Sequence, residues 1–155
     1  MTTVLEKIAR QLVARTSFSA VATRRAEDAI VDTIGCMIAG MNDAAPRAVA
    51  AAFRDEIKQD GTSLIFTGGR ASRSIAALIN GTAAHCLDFD DNFHPARAHA
   101  SAVLVPALLS VATSSNEFSG RMLVRAYLAG LEAQASVGFG VLSSSHHRST
   151  ARCTR

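Results

Sequence analysis

The chain has 155 residues, 48% of them hydrophobic, which suits one domain with a substantial core and excludes a wholly disordered chain. Its formal net charge is +3, from 16 basic and 13 acidic side chains. Residues 144–155 hold Arg148, Arg152 and Arg155 and no acid, so the remainder is balanced and advertises no nucleic-acid surface.

The cysteines, Cys36, Cys86 and Cys153, are spaced by 50 and 67 residues, which fits no zinc or iron–sulfur pattern. Cys36 and Cys86 sit among apolar neighbours and read as reduced core thiols, an argument for a cytoplasmic protein. No apolar run reaches membrane-spanning length, so no membrane partner is expected. The chain has no Trp and a single Tyr, leaving Ala and the aliphatics to supply the packing. An all-α fold is the class this composition suggests.

In chain order, Leu5, Ile8, Leu12 and Val13 recur at helical spacing, giving a first helix over 3–15. A hydroxyl of the Thr16-Ser17-Phe18-Ser19 break can cap the next. Residues 20–40 form the clearest helix, with Ala26, Ile30, Ile34, Met37 and Ile38 on one broad face. Gly40 to Asn42 suits a left-handed helix end. Pro46 suits the first turn of a third helix, and Ala50, Phe53 and Ile57 share its inner side. Asp60-Gly61 reads as a turn, Ser63 to Thr67 as a short extended piece, and Gly68-Gly69 as a tight turn. Two glycines without a Walker lysine do not make a phosphate loop.

A helix beginning at Ser72 or Arg73 follows, with Gly81 as either its end or a close-packing position. Ala98 to Thr113 forms another apolar helix, kinked or restarted at Pro106. Ser114-Ser115-Asn116 reads as a loop. Ser119 caps a last helix marked by Leu123, Tyr127, Leu128 and Leu131, with an expected end at Gly138 and Gly140. Beyond Ser143 periodicity is lost. The division expected is therefore a helical domain over 3–143 and an unstructured, atypical tail over 144–155.

The chemistry concentrates between two apolar helices, from His85 to His99. This stretch holds Asp88, Asp90 and Asp91 and three of the five histidines, His85, His94 and His99. A solvated turn would use such acids too. The nearby imidazoles and buried helices supply what proton transfer needs. A metal is the rival reading. Asp88, Asp91 and His94 are three apart, and His94 and His99 with one Asp would make a facial triad, but no specific metal motif is matched. His85 lies in an Ala-rich helix, where a packing histidine is the ordinary finding, and Cys86 reads as core.

Ala77-Leu78-Ile79-Asn80-Gly81-Thr82-Ala83-Ala84-His85-Cys86-Leu87-Asp88-Phe89-Asp90-Asp91 resembles the signature of the MmgE/PrpD family. Asp32 to Gly40, the Gly-Arg at residue 70, His99 to Pro106 and Ala126 to Glu132 also resemble it, so the likeness covers roughly residues 5–147. It implies a helical bundle-like part of a larger helical domain, interrupted elsewhere by a smaller α+β lid. Homodimers, no metal and no organic cofactor are implied. The implied activity is that of a lyase acting on a small di- or tricarboxylic acid, most like 2-methylcitrate dehydratase. Sister decarboxylase and epimerase activities belong to the same family, and a non-catalytic helical module is the further alternative.

The resemblance carries over residue by residue. Asp88 matches the first Asp of the motif, an active-site position. Asn92 stands where the decarboxylase branch has a Thr near the substrate. His94-Pro95 followed by His99 resembles the family's His-Pro…His-Pro-Ser run, here with one extra residue and His-Ala-Ser, and His99 matches its active-site His. Asp88 and His99 are thus the expected catalytic pair. Asn92, Arg97 and His94 are expected to bind substrate, Arg97 by offering its donor fork to a carboxylate, and His85, Asp90 and Asp91 to support them. His146-His147-Arg148 resembles the start of a later family run whose second, catalytic His is not found here. The expectation is that residues 149–155 come from a frameshift or altered terminus, and that this first part of the helical domain is inactive alone.

Overall fold

The computed structural model describes residues 2–15, 17–58, 63–64, 66, 68–113 and 118–150, and side chains no further than Val141. Six α-helices dominate: α1 (Val4–Ala14), α2 (Ala20–Gly40), α3 (Ala44–Ala52), α4 (Arg73–His85), α5 (Ala100–Ala112) and α6 (Gly120–Thr150). The strands β1 (Ser63–Leu64) and β2 (Arg70–Ala71) form a small antiparallel pair. The all-α class is therefore borne out. Among the described residues no helix is long and apolar enough to cross a membrane.

Side-chain caps set most of the helix starts. Thr3 and Glu6 form a reciprocal capping box on α1. Ser19 Oγ accepts from Ala22 N on α2, Asp43 Oδ1 from Ala45 N on α3, and Ser119 Oγ from Met122 N on α6. The glycine pair works as the sequence predicts, with Gly68 and Gly69 at φ 110° and 87° turning β1 into β2. The Asp60-Gly61 turn and the Ser114-Ser115-Asn116 loop lie outside the described residues.

Two expected helix ends have a different physical meaning. At the end of α2, Met41 is right-handed, at φ −57° and ψ −24°, so Gly40 is not there to supply a left-handed turn. A Cβ on Gly40 would lie 2.1 Å from the Ala83 carbonyl oxygen and 2.6 Å from Cys86 Sγ, so the glycine lets α2 touch the backbone of α4. Gly138 does not end α6 either, since the helix runs to Thr150. A Cβ there would lie 2.4 Å from the Pro95 carbonyl oxygen, so Gly138 admits the turn that carries the site residues. The helical backbone thus continues through 144–150, where the sequence shows no periodicity. Residues 151–155 lie outside the described residues.

Helix α4 is the centre of the bundle. On its other side, Gly81 faces α5, where a Cβ would come within 3.0 Å of the Ala102 carbonyl oxygen. Pro106, four residues on and inside α5, has no N–H to give that carbonyl. The proline therefore neither ends α5 nor restarts it; it frees a carbonyl at the place where α4 comes closest. One core cluster joins Ala26, Ile30 and Met37 of α2 with Ala84, Ala102, Val105 and Tyr127. A second packs Ala71, Ile75, Ala76 and Ile79 under Val49, Phe53 and Ile57. Ser63 Oγ donates to the Ser110 carbonyl at 2.6 Å, and Asn80 Oδ1 accepts from Phe66 N at 2.9 Å, tying the strand segment to α5 and α4.

Tyr127, the only tyrosine, anchors α6. Its buried hydroxyl bonds Ser101 Oγ at 2.6 Å. Burial, and then the Asp91 charge, push its phenol up from 10.0, against a lowering by the Ser101 hydrogen bond. A raised folded-state value favours the protonated native chain. That contribution is complete below the ordinary tyrosine range and is lost as pH rises through it toward the folded value.

Gly40→Ala should destabilise the fold by about 1–3 kcal/mol through overpacking, whereas Gly35→Ala, with nothing within 4 Å of the new methyl, should stabilise it by roughly 0.5–1 kcal/mol. Thermal unfolding of the two variants checks the contrast. Tyr127→Phe should cost about 1 kcal/mol near neutral pH and lessen the loss of stability above pH 10.0, read from urea melts at rising pH.

Candidate active site

The site begins where α4 stops. His85 is its last residue, and Asp88 N donates to the His85 carbonyl at 2.9 Å. Asp88 then takes φ 55°, a left-handed conformation that Asp tolerates better than most side chains. This bend reverses the chain, so that Asp90 comes back against His85. Farther along, Phe93 and Ala98 pair across a turn: Phe93 N donates to Ala98 O at 2.8 Å, and Arg97 sits at φ 47°. The turn delivers His99 to the start of α5.

Asp90 is the centre. Its side chain is 0% exposed, with an imidazole on each oxygen. His85 Nδ1 lies 3.0 Å from Oδ1 and 3.2 Å from Oδ2. His99 Nδ1 lies 3.3 Å from Oδ2, off the hydrogen-bond direction, and has no other partner. The two rings are 4.4 Å apart between centroids and tilted by 51°. His85 is 51% and His99 34% exposed, so both reach solvent while Asp90 does not. Asp88 completes the group. One donor atom from each of His85, Asp88, Asp90 and His99 lies within 4.8 Å of the others. Two imidazoles and two carboxylates in that space can exchange protons or hold a divalent ion.

The expected pair of Asp88 and His99 is thus brought together, with His85 and Asp90 between and beside them. Asp91 turns the other way. Its Oδ1 accepts from Ser101 N at 2.8 Å, satisfying a donor in the first turn of α5 and reaching the Ser101–Tyr127 bond. Asn92, His94 and Arg97 lie exposed on the loop, where a soluble anion has access to them. The motif resemblance ranked Asp90 below Asp88. Five residues separate His85 from Asp90 across a helix end, and no periodicity relates two such positions.

The two described thiols, Cys36 and Cys86, take no part. Burial, then the charges of Asp32 and Asp90, raise the Cys36 thiol above 9.0, and burial, then Asp43, raises that of Cys86. Cys86 Sγ donates to the carbonyls of Ala83 at 3.4 Å and Gly40 at 3.6 Å. Both behave as core residues, since a thiol held protonated is a poor nucleophile.

Beside the cluster runs an open groove of about 660 Å³ between α4 and α5. His85 and His99 line it together with Leu78, Thr82 and Val103. The hollow between α2 and α6, about 460 Å³, is bordered by Glu27, Arg121 and Arg125 and holds no imidazole.

The chain is similar to cis-aconitate decarboxylase of Homo sapiens, 41% identical over 68 residues, and to that of Mus musculus, 38% identical over 68 residues. Each match covers 42% of this chain and 14% of the relative, so the chain aligns with a small part of those proteins. The model of the MmgE/PrpD N-terminal domain matches residues 6–154, nearly the whole sequence and the entire Asp/His cluster, and the chain belongs to the MmgE/PrpD family.

Proposed function

We propose that this chain contributes the proton-transferring part of a lyase site for a small di- or tricarboxylic acid. The observation that carries the reading is the meeting of His85, Asp88, Asp90 and His99 within 4.8 Å at the edge of an open groove. A proton beside a carboxylate is removed by a base within about 3 Å, and an imidazole is suited to that task near neutral pH. His99 is the proton carrier in this reading and Asp88 its acid or orienting partner. The exposed Arg97 offers a planar fork of donors to a substrate carboxylate, and Asn92 and His94 are exposed on the same loop.

Two reactions fit the same groups. In dehydration, as for 2-methylcitrate, the base takes the carbon-bound proton, the electron pair forms the alkene, and the hydroxyl leaves with a proton as water. In decarboxylation, the carbon–carbon bond breaks, carbon dioxide departs, and a protonated imidazole returns a proton to the carbon left behind. The likeness to cis-aconitate decarboxylase makes cis-aconitate an acid of first interest. Asn92 stands where the decarboxylase branch has a Thr near the substrate.

Nuclear magnetic resonance of the chain labelled at histidine tests the reading. Adding cis-aconitate or 2-methylcitrate should shift the His85 and His99 resonances. Asp88→Asn keeps a side chain tolerant of the left-handed bend and removes only the charge; with His99→Ala, it should weaken that response at least tenfold. Any turnover of either acid should fall about 100-fold or more in both variants. A folded chain whose imidazoles respond to neither acid would overturn the proposal and favour a non-catalytic helical module.

A further inference from the structure

Asp90, expected from the resemblance only as a support, has a more specific part in this site. An ionised carboxylate only accepts hydrogen bonds and repels the lone pair of a bare ring nitrogen, so it favours the proton on the nitrogen that faces it. His85 Nδ1 lies within hydrogen-bond distance of Oδ1 of Asp90, and the buried Nδ1 of His99 faces Oδ2 at 3.3 Å without a hydrogen bond. The Asp90 side chain is fully buried and cannot exchange these partners for water. A neutral imidazole protonated at Nδ1 has its lone pair at Nε2. Both rings border the groove, so this arrangement leaves two Nε2 acceptors on the open side of the cluster.

We propose that Asp90 is the positioning residue for both imidazoles, and that His85 is a second proton carrier beside His99. The inference rests on the lyase reading for its use but not for its geometry. In each proton transfer, the proton leaves the substrate carbon, its electron pair stays on the carbon, and the proton binds Nε2 of one ring. The resulting imidazolium shares a buried anion with the other ring. Two carriers on one carboxylate provide two positions for dehydration: a ring with a bare Nε2 takes the carbon-bound proton, and the other, when it holds a second proton as imidazolium, gives that proton to the leaving hydroxyl. The 4.4 Å between ring centroids keeps both within reach of one small substrate. His85 therefore has work beyond filling the end of an Ala-rich helix, and its 51% exposure fits a group that meets solvent or substrate.

The imidazole nitrogen-15 shifts of the wild-type 155-residue chain, recorded without substrate above the imidazole titration range, test this directly. Both His85 and His99 should show a protonated Nδ1 and a bare Nε2, while the exposed His94 should show the mixture of a free histidine. Asp90→Asn, which offers an amide N–H in place of the carboxylate, should move both rings toward a protonated Nε2. Circular dichroism establishes that the variant is folded, and the wild-type spectrum stands as a test if it is not. A protonated Nε2 on either ring in the wild type would overturn the proposal, as would a folded Asp90→Asn with unchanged tautomers. No substrate enters this measurement. Imidazoles with the expected tautomers that ignore both acids would count against the lyase reading alone, and the reverse result would count against the role of Asp90 alone.

Discussion

The closeness of α4 to its neighbours is the constraint on which the rest of the structure depends. On one side Gly40 meets the Ala83 carbonyl, and on the other Gly81 meets the Ala102 carbonyl, at distances that leave no room for a methyl group at the first and little at the second. Backbone contact of this kind is available only to small residues, and it fixes the axial position of α4 more tightly than interdigitating long side chains would. The position of its last residue, His85, follows from that. Pro106 adds to the fit by leaving the Ala102 carbonyl without its usual helical donor at the point of contact.

From that fixed helix end the site is built by backbone geometry. Asp88 and Arg97 both adopt positive φ, one reversing the chain after α4 and the other closing the turn before α5. Such conformations cost energy for residues with a side chain, and they persist where the surrounding contacts demand them. Here the contacts are named: Asp91 on Ser101 N, the Phe93–Ala98 pairing, and Gly138 of α6 against the Pro95 carbonyl. The three acids that look equivalent in sequence are thereby given different tasks. Asp91 satisfies a helix start, Asp90 is enclosed between imidazoles, and Asp88 stays in solvent at the edge of the cluster.

Burial of Asp90 is unfavourable unless its charge is compensated. Two imidazoles are a softer compensation than an arginine, because their own protonation can change. That suits a site that moves protons and suits a purely structural ion pair less well. The same four side chains can take a divalent ion, and the apolar groove alongside gives space for a small organic acid. Fold, packing and chemistry thus converge on one short segment between α4 and α5.

Much of the fold was legible in the sequence because it rests on local rules. Apolar periodicity gave α2 over residues 20–40, hydroxyl and carboxylate caps gave several helix starts, and the glycine pair gave the turn between the strands. The density of Asp and His between His85 and His99 located the cluster, and the motif resemblance named Asp88 and His99 within it. The tertiary structure decided what those rules do not reach. Gly40 and Gly138 look like helix ends in the sequence, yet they serve contacts with carbonyls 43 residues away in either direction. Asp90 became the central acid because a left-handed bend at Asp88 folds it back on His85. A sequence records which groups are available; which carboxylate loses its water, and which imidazoles replace it, is settled only when distant helices close around it.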